Sequence, residues 1–416
     1  MKSVKPAPKS TSSVDVGGSL DYAMRGIRHV IDTFGKRDPG SEGEIKAQEY
    51  FAGELKQWAD EVVTQKFDLH PNSFMGWMPI ASSFGIISVL LPVFSQNIAS
   101  KTICFALVSL ALFLFIMQLL RYVHVTAFLF PKKTSANVYA SRKPSGEVKR
   151  RIIFDGHTDA AFEWRFSYIG GWALKIMIIG AVSGLLFLFA VSVLNLFGLF
   201  GPAAQRALGY IQLIFLPVFA GMLFFIRWDI VVDGANDNLT ANYTAMTVIK
   251  EMAEKDFRYE NTEVCVLLTG SEEAGLRGAK AFAEMNKELT NEVETVIIGL
   301  ETLHDMDHLA VQLVDLTGTV KNDARVGKLI KEAALKCGMD LPYGGFFPGA
   351  TNPAAYTQAG IPAASLCGVN HDPQKYYHTR EDNFESLNPE CIEASMQISI
   401  ECANLYDEAG GIDKFR

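Results

Sequence analysis

Charge is scarce in this sequence. Only 20% of its 416 residues are Asp, Glu, Lys or Arg, whereas 49% are hydrophobic. Soluble domains carry about 25% charged residues, so the shortage indicates that part of the chain lies in a lipid bilayer. The 38 basic residues are outnumbered by 46 acidic ones, which gives a net charge of -8. The sequence offers no positive field for nucleic acid, and we exclude nucleic acid as a partner.

Cysteine pairs are lacking as well. The six cysteines form no CxxC motif, and Cys104 falls inside a long apolar run. This pattern is typical of a protein in a reducing compartment. We expect neither disulfide bonds nor a metal ion held by cysteine.

The amino-terminal residues lack the apolar core of a cleavable signal peptide. Residues 1–18 are rich in Ser, Lys and Pro, so we predict a disordered tail there. Largely polar sequence follows, up to about residue 72. Export of this segment is therefore not expected.

The hydrophobic excess is concentrated in four long stretches that are free of charge. They cover residues 74–94, 102–120, 176–205 and 207–226. Each can supply the roughly 20 residues that a membrane-crossing helix needs. Buried core helices are the alternative, but core helices are rarely apolar on every side over such a length. We predict four transmembrane helices that face the lipid bilayer.

These four spans form two hairpins, residues 73–131 and 168–227, because each pair has a short connection. The connections carry only Lys101 and Arg206. The opposite flanks carry more positive charge, in Arg121, Lys132, Lys133, Arg165, Lys175 and Arg227. Since positive charge favours the cytoplasmic side, we predict a multi-pass membrane protein, in a prokaryotic plasma membrane, whose polar bulk is cytoplasmic.

The polar sequence divides into three parts of one catalytic domain, residues 19–72, 132–167 and 228–416. Strand-like runs lie at 61–69, 137–141, 151–154, 263–269 and 295–300, and helical patterns at 20–34, 41–58, 240–252, 279–285, 324–337 and 390–406. The alternation predicts an α/β fold of three α/β/α layers around a mostly parallel mixed sheet. Ligand sites in such folds lie at the carboxyl ends of the strands.

Histidines and carboxylates follow several of the predicted strands. They are His157, Asp159, Asp237, Glu272, Glu273, Glu301 and His378. Two histidines mixed with oxygen ligands suit two divalent cations such as zinc, and a carboxylate between the cations can bridge them. Of two adjacent glutamates, one can bind metal while its neighbour accepts the proton of a water molecule.

Each of these residues also has a purely structural explanation. A buried histidine is often only a hydrogen-bonded core residue, and paired glutamates often begin a solvated helix. Asp237 could cap a helix or sit in a turn, and Asp159 could sit in a turn or orient His157. Because the residues occur together at successive strand ends, one shared site is favoured over several unrelated features.

Several segments, in this order, resemble the zinc-dependent aminopeptidase and glutamate carboxypeptidase family of di-zinc exopeptidases. They are GSEGE at 40–44, GHTDA at 156–160, GANDNLTA at 234–241, GSEEAGLRGAKAF at 270–282, the strand ending in Glu301, AGIPAASL at 359–366 and YHT at 377–379. The resemblance covers about residues 20–70, 134–160 and 229–408, which is nearly all of the polar sequence.

The resemblance implies two divalent metal ions, expected to be Zn2+, and a ligand set for each. His157 and Glu301 would bind one ion, Glu273 and His378 the other, and Asp237 would bridge them. Many aminopeptidases of this family have aspartate where this chain has Glu301, a chemically equivalent ligand with one more methylene.

The resemblance also implies the catalytic roles. Glu272 would be the general base, and Asp159 would orient the imidazole of His157. Tyr377 resembles a family tyrosine that steadies the oxyanion, although a packed aromatic ring is an equal alternative.

Two further departures from the family pattern concern substrate access. Residues 349–352 read Gly-Ala-Thr-Asn where many relatives have a Ser-Asp or Thr-Asp pair, so recognition of the substrate end is open. Phe346, Phe347 and Asn352 lie near the position of the family's substrate loop, so the resemblance suggests them as specificity residues. The second hairpin separates His157 from Asp237, so we hypothesise a site near the membrane surface that admits short or membrane-adjacent peptides.

The sequence therefore predicts a membrane-anchored metallopeptidase, most simply an aminopeptidase acting on peptide substrates. A glutaminyl-peptide cyclotransferase, which usually works with one zinc, and a non-catalytic receptor or scaffold are the alternatives. A transporter is disfavoured, because no span carries an ionisable residue in its middle. Carboxypeptidase or dipeptidase activity, sequence preference, the native metal and the oligomeric state are left open.

Overall fold

The structure is a computed structural model that describes residues 15–370 and 376–416. Most of the predicted disordered tail, residues 1–18, lies outside the described residues. The prediction is wrong at its end, because the first helix already begins at Gly17. Val16 is buried in the main core, and this contact anchors the start of the helix.

The described residues contain eleven strands and fourteen α-helices. The strands are β1 Glu61–Leu69, β2 Lys133–Arg142, β3 Arg150–His157, β4 Phe162–Trp164, β5 Ile226–Val231, β6 Thr262–Thr269, β7 Glu294–Leu303, β8 Ala310–Asp315, β9 Val320–Lys321, β10 Tyr343–Gly345 and β11 Ala363–Gly368. The helices are α1 Gly17–Phe34, α2 Glu42–Leu55, α3 Ser73–Phe94, α4 Ile98–Phe115, α5 Arg165–Ile169, α6 Gly171–Leu196, α7 Pro202–Ile211, α8 Leu216–Met222, α9 Thr240–Glu254, α10 Arg277–Met285, α11 Lys287–Glu292, α12 Ala324–Lys336, α13 Asn352–Gln358 and α14 Pro389–Ala409.

Nine strands form one mixed sheet in the order β1-β2-β6-β3-β7-β11-β8-β10, with β9 paired to β8. The central strands β6, β3, β7 and β11 are parallel to one another. The strands β1 and β2 run antiparallel at one edge. The predicted α/β fold is confirmed.

Helices cover both faces of this sheet, so the central strands are buried on both sides. Alternate side chains of β3 enter two different cores, as the pleat requires. Ile152 and Phe154 pack in the core that includes Tyr243 of α9. Ile153 packs on the other face with Phe282 of α10.

Four helical segments among the described residues are long and apolar enough to cross a membrane. They are Ser73–Phe94, Ile98–Leu120, Gly171–Leu196 and Pro202–Met222. The third charge-free stretch, 176–205, includes the start of the short connection to the next helix, because the chain turns at Gly198, where φ is 68°, before Pro202 starts that helix.

The four segments pack together around a core of their own. Val89, Val108, Leu188 and Phe219 each come from a different segment and are buried in it. The outer faces remain apolar, and the exposed fraction of Ile179 is 66%. An exposed apolar surface of this kind is what lipid-facing helices require.

Both hairpins begin beside the carboxyl ends of the central strands. The first, α3 and α4, lies in the chain between β1 and β2, and the second, α6 to α8, lies between β4 and β5. The strands β4 and β5 pair as a separate two-stranded ribbon. This ribbon connects the second hairpin to the site described next.

Candidate metal centre

All the metal-ligand and catalytic residues predicted from the sequence converge at the carboxyl edge of the parallel strands. They are His157, the last residue of β3; Asp237, in the segment before α9; Glu272 and Glu273, after β6; Glu301, near the end of β7; and Asp159, Tyr377 and His378, in loops. Two positions differ from prediction, because hydrogen bonding between parallel strands continues further and includes His157 and Glu301 within β3 and β7.

Asp237 lies between the two histidines. Its Oδ1 is 3.0 Å from Nε2 of His157, and its Oδ2 is 3.2 Å from Nε2 of His378. Each histidine faces a second carboxylate, with Nε2 of His157 3.9 Å from Glu301 and Nε2 of His378 3.1 Å from Glu273. The two carboxylate oxygens of Asp237 thus point into two adjacent groups of ligand atoms.

The donor set fits a pair of divalent ions. Potential ligand atoms lie within 4.8 Å of one another in the groups His157, Asp237, Glu301 and Asp237, Glu273, His378. A third such group joins His157 to both Glu272 and Glu273. Two ligand atoms on one tetrahedral zinc ion are about 3.3 Å apart, since each bond is about 2.0–2.1 Å long. The spacing between the side chains therefore suits zinc coordination.

Asp159 contacts both halves of the cluster. Its Oδ1 and Oδ2 accept hydrogen bonds from the backbone N–H groups of Glu272 and Glu273, both at 2.9 Å. Its Oδ1 also lies 3.3 Å from Nδ1 of His157, the ring nitrogen turned away from Asp237. A carboxylate in this position orients an imidazole so that the opposite nitrogen is free to bind metal.

The turn that carries the two glutamates needs an unusual backbone. Ser271 and Leu276 adopt φ values of 54° and 60°, and Gly275 adopts 89°. A Cβ at Gly275 would lie 2.6 Å from Nε2 of His124. Glycine is required at this position both for its conformation and for the close approach of the neighbouring side chain.

Asp237 and Glu301 are held by residues that sequence reasoning did not single out. Asp382 accepts hydrogen bonds from the backbone N–H groups of Asn236 (2.7 Å) and Asp237 (3.2 Å). Asn238 donates from Nδ2 to the carbonyl of Leu300 at 3.0 Å, directly before Glu301. The peptide bond between Asp237 and Asn238 is cis.

His378 is held by the root of the second hairpin. The N–H of Trp164, in β4, donates to the carbonyl of His378 at 2.8 Å, and the two rings meet edge to face with centroids 4.5 Å apart. An ion pair joins the same two segments, because Arg380 donates from Nε and Nη2, each at 2.7 Å, to the buried carboxylate of Glu163. The loop with His378 and the hairpin root are therefore fixed together.

Negative charge exceeds positive charge in the cluster. Burial, reinforced by neighbouring carboxylates, raises the pKa of Glu272, Glu273 and Glu301. Burial alone would raise the pKa of Asp237, but hydrogen bonds to the two histidines hold it below its usual range. Burial alone would lower the pKa of His378, but Glu273 and Asp237 raise it to about 10. Divalent cations would neutralise the excess negative charge.

A cavity opens directly onto the cluster. Glu272, Glu273, Tyr377 and His378 line one part of it, and Pro348 lies at the same end. The rest of the lining comes largely from both hairpins. The ring of Tyr377 stacks on that of His378 with centroids 4.0 Å apart.

The specificity residues suggested by the sequence lie elsewhere. Phe346 is buried in a small core with Cys367, and the exposed fraction of Phe347 is 61%. Asn352 is buried and donates to Oγ1 of Thr269 at 2.8 Å. None of the three lines the cavity, because the loop folds so that residues 348–350 border it instead.

The missed residues gave unequal signals in the sequence. Asn238 lies within the motif segment 234–241, directly after Asp237, whereas Asp382 lies four positions after His378 and outside the segment 377–379. Glu163 and Arg380 lie far apart in sequence, and no local pattern links them.

Comparisons with known proteins agree with this fold. The fold is shared with the aminopeptidase from Aneurinibacillus sp. strain AM-1, with 13% identity, a TM-score of 0.54 and 93% of each chain covered. A zinc aminopeptidase from Bacillus subtilis matches with 13% identity and a TM-score of 0.54, over 94% of this chain and 95% of that one. A glutaminyl cyclase from Bacteroides thetaiotaomicron matches with 12% identity and a TM-score of 0.54, over 92% and 96%.

These structures define the class of fold as the α/β fold of zinc aminopeptidases, which glutaminyl cyclases also adopt. Residues 222–403 match the model of peptidase family M28. The match makes this segment similar to that family, and the segment holds every candidate ligand except His157. None of the curated proteins matches the sequence.

Proposed function

We propose that this protein is a membrane-anchored di-zinc metallo-exopeptidase, of the aminopeptidase type, with a cytoplasmic catalytic domain. The observation that carries the proposal is the position of Asp237, whose two oxygens face different histidines. Each histidine is paired with a further carboxylate, Glu301 or Glu273. A shared carboxylate between two such groups is the arrangement that a two-metal hydrolase requires.

In this proposal His157 and Glu301 hold one ion, Glu273 and His378 hold the second, and Asp237 contacts both. Bound zinc would supply Lewis acidity, which polarises the scissile carbonyl and lowers the pKa of a water molecule. These side chains are buried away from bulk water, so electrostatic interactions within the site are stronger than in water.

Glu272 moves the protons. It accepts one from the attacking water while the hydroxide oxygen bonds to the carbonyl carbon. When the carbon–nitrogen bond breaks, Glu272 returns the proton to the departing amine, so one water is consumed for each amide cleaved. Asp159 holds the backbone of Glu272 in place for both transfers.

Tyr377 borders the cavity beside His378 and carries the phenol that we assign to the oxyanion. A phenol O–H can donate a hydrogen bond to the negative charge that develops on the carbonyl oxygen. Its stacking on His378 fixes the ring in that position.

The two hairpins anchor this domain to the membrane in our proposal. Their helices have the length and composition of membrane spans, and both hairpins line the cavity that reaches the cluster. The excess of lysine and arginine at their roots favours the cytoplasmic side for the catalytic domain. Substrates would therefore reach the site at the membrane surface.

A glutaminyl-peptide cyclotransferase is the second candidate, because a glutaminyl cyclase shares this fold. The second ligand group, formed by Asp237, Glu273 and His378, favours the two-metal enzyme. A metal content near two per chain supports the peptidase, and a content near one with cyclisation of an amino-terminal glutamine supports the cyclase.

The direct test is peptide hydrolysis by the purified full chain in detergent, with and without a metal chelator. We expect zinc-dependent hydrolysis, and a loss of at least about 100-fold in kcat for Glu272→Gln, since general base catalysis contributes roughly 100- to 10,000-fold. Glu284→Gln is the matched control, because Glu284 is exposed on α10. Equal rates for Glu272→Gln and the wild-type enzyme would refute the assigned mechanism.

A further inference from the structure

The cavity on the metal cluster continues into the helical bundle. It is lined on α3 between Phe74 and Ser82, and on α6 between Ile178 and Leu185. A helix rises 1.5 Å per residue, so these segments span about 10–12 Å along the helices. The cluster lies at one end of the cavity, with Glu272 and His378 in its wall.

The bundle part of this wall is almost entirely apolar. Of the lining residues that the described parts of α3, α4, α6 and α8 contribute, only Trp77 and Ser82 have a polar side-chain group. The other lining residues there include Met78, Phe115 and Phe219. A ligand group that enters this part of the cavity therefore meets few hydrogen-bond partners.

This scarcity, together with the size of the cavity, distinguishes three candidate occupants. An extended peptide would bring an N–H and a C=O group for each residue, and each unpaired group costs several kcal/mol in an apolar environment. A transmembrane helix is too large, since a helix is about 10–12 Å wide and a span needs about 20 residues. A hydrocarbon chain needs no hydrogen bonds and fits a narrow apolar space.

The length of the cavity suits such a chain. An extended chain advances about 1.2 Å per bond, because a residue of three backbone bonds spans at most about 3.3–3.6 Å. A segment of 10–12 Å therefore takes a chain of roughly eight to ten carbons. Longer chains would extend beyond the lined region.

We propose that the bundle cavity is an acyl-chain pocket and that the substrates are medium-chain fatty acyl amides, such as N-acyl amino acids. The inference rests on the metal-dependent amide hydrolysis of the proposed function, because the same residues hydrolyse the bond, but it does not rest on the aminopeptidase type, since an N-acyl amino acid has no free amino group. Water adds to the acyl carbon, the carbon–nitrogen bond breaks, and a fatty acid and a free amine are released. The amine takes up a proton and leaves towards water, whereas the acyl chain remains in the bundle.

The first experiment measures hydrolysis of N-acyl leucines with chains of 2, 6, 10 and 16 carbons, beside a leucyl dipeptide, by the full chain in detergent. We expect kcat/KM to rise at least tenfold from 2 to 10 carbons, since each buried methylene is worth up to about fourfold. The rise should then level off at 16 carbons.

Two cavity-filling variants, Ala181→Trp and Ala81→Trp, test the location of the chain. Ala181 lies on α6 and Ala81 on α3, so the variants fill the pocket from different hairpins. We expect the preferred chain length to shift to 6 carbons or fewer. Ile179→Trp and Ile87→Trp are the controls, because these side chains are exposed on the outer faces of the same helices. They should keep the wild-type profile.

A binding experiment is independent of turnover. The Glu272→Gln variant is irradiated with an N-acyl leucine whose 10-carbon chain ends in a photoreactive diazirine, and the labelled peptides are identified by mass spectrometry. Labelling of residues 77–82 or 178–185 is expected. Labelling confined to the outer faces of the helices would overturn the proposal, as would a profile that does not depend on chain length.

The outcomes separate this inference from the proposed function. Hydrolysis of the dipeptide with no effect of acyl-chain length refutes the acyl pocket and leaves the peptidase intact. Faster cleavage of apolar oligopeptides than of any acyl amino acid assigns the cavity to peptide side chains and also refutes it. Loss of all zinc-dependent hydrolysis refutes the proposed function itself.

Discussion

Replacing Asp159 by asparagine should weaken the metal centre without removing a predicted metal ligand. The carboxylate is fully buried and accepts one hydrogen bond each from the N–H groups of Glu272 and Glu273. It also faces Nδ1 of His157. Asparagine keeps one acceptor oxygen, but its NH2 group faces a donor where the second oxygen stood.

The size of the effect follows from the lost hydrogen bond. A hydrogen bond to a charged group contributes about 1.5–3 kcal/mol, which corresponds to roughly 10- to 150-fold in an equilibrium or rate constant. Partners that orient metal-binding histidines typically change metal affinity or activity by about 10- to 100-fold. We therefore expect Asp159→Asn to lower zinc affinity and kcat/KM by about 10- to 100-fold each.

Two measurements check this prediction. Zinc affinity is obtained by competition with a chelator of known affinity, and kcat/KM is measured at saturating zinc. Asp21→Asn is the matched control, because Asp21 is exposed on α1. If Asp159→Asn bound zinc as tightly as the wild-type chain and kept its kcat/KM, the positioning role of Asp159 would be wrong.

Two further variants test the surroundings of the site. Arg380→Met removes the partner of the buried Glu163 carboxylate and should lower kcat/KM about tenfold by loosening the His378 loop. Adding Glu163→Gln should restore part of the activity, because the unpaired charge is then removed. A double variant no more active than Arg380→Met would contradict this role of the ion pair. Burial lowers the pKa of Lys280 from 10.5 to about 8. Between these values the unfolded chain binds more protons, so the free energy of unfolding should rise with pH relative to Lys280→Met. Unfolding in detergent at pH 8 and pH 10 measures this, and a constant or falling difference would contradict it.

Much of the fold could be predicted from local sequence patterns. Residues 61–69 form β1 with both predicted bounds, because alternation and turn residues mark a strand locally. The strands β8 and β10 were missed, since Ala310–Asp315 and Tyr343–Gly345 are short and pair only through tertiary contacts. Short strands of this kind carry too little periodicity to be distinguished from loops.

The candidate site was predictable where side-chain chemistry itself was the signal. The histidines and carboxylates stood out because few residue types bind metal or transfer protons. Supporting residues carry no such signal, and Asp382 reaches Asp237 from a position 145 residues away in the chain. The roles of the ligands, of Glu272 and of Tyr377 stay predictions until the enzyme is assayed.

The sequence by itself determined the four apolar segments, the alternation of strands and helices, and the residues capable of metal chemistry. These features are local, because periodicity and side-chain type are written in neighbouring residues. Only the tertiary structure decided that Asp237 lies between His157 and His378, and that the inner faces of both hairpins open onto that cluster. Such proximities arise from packing between distant segments, and no local pattern encodes which surfaces will meet.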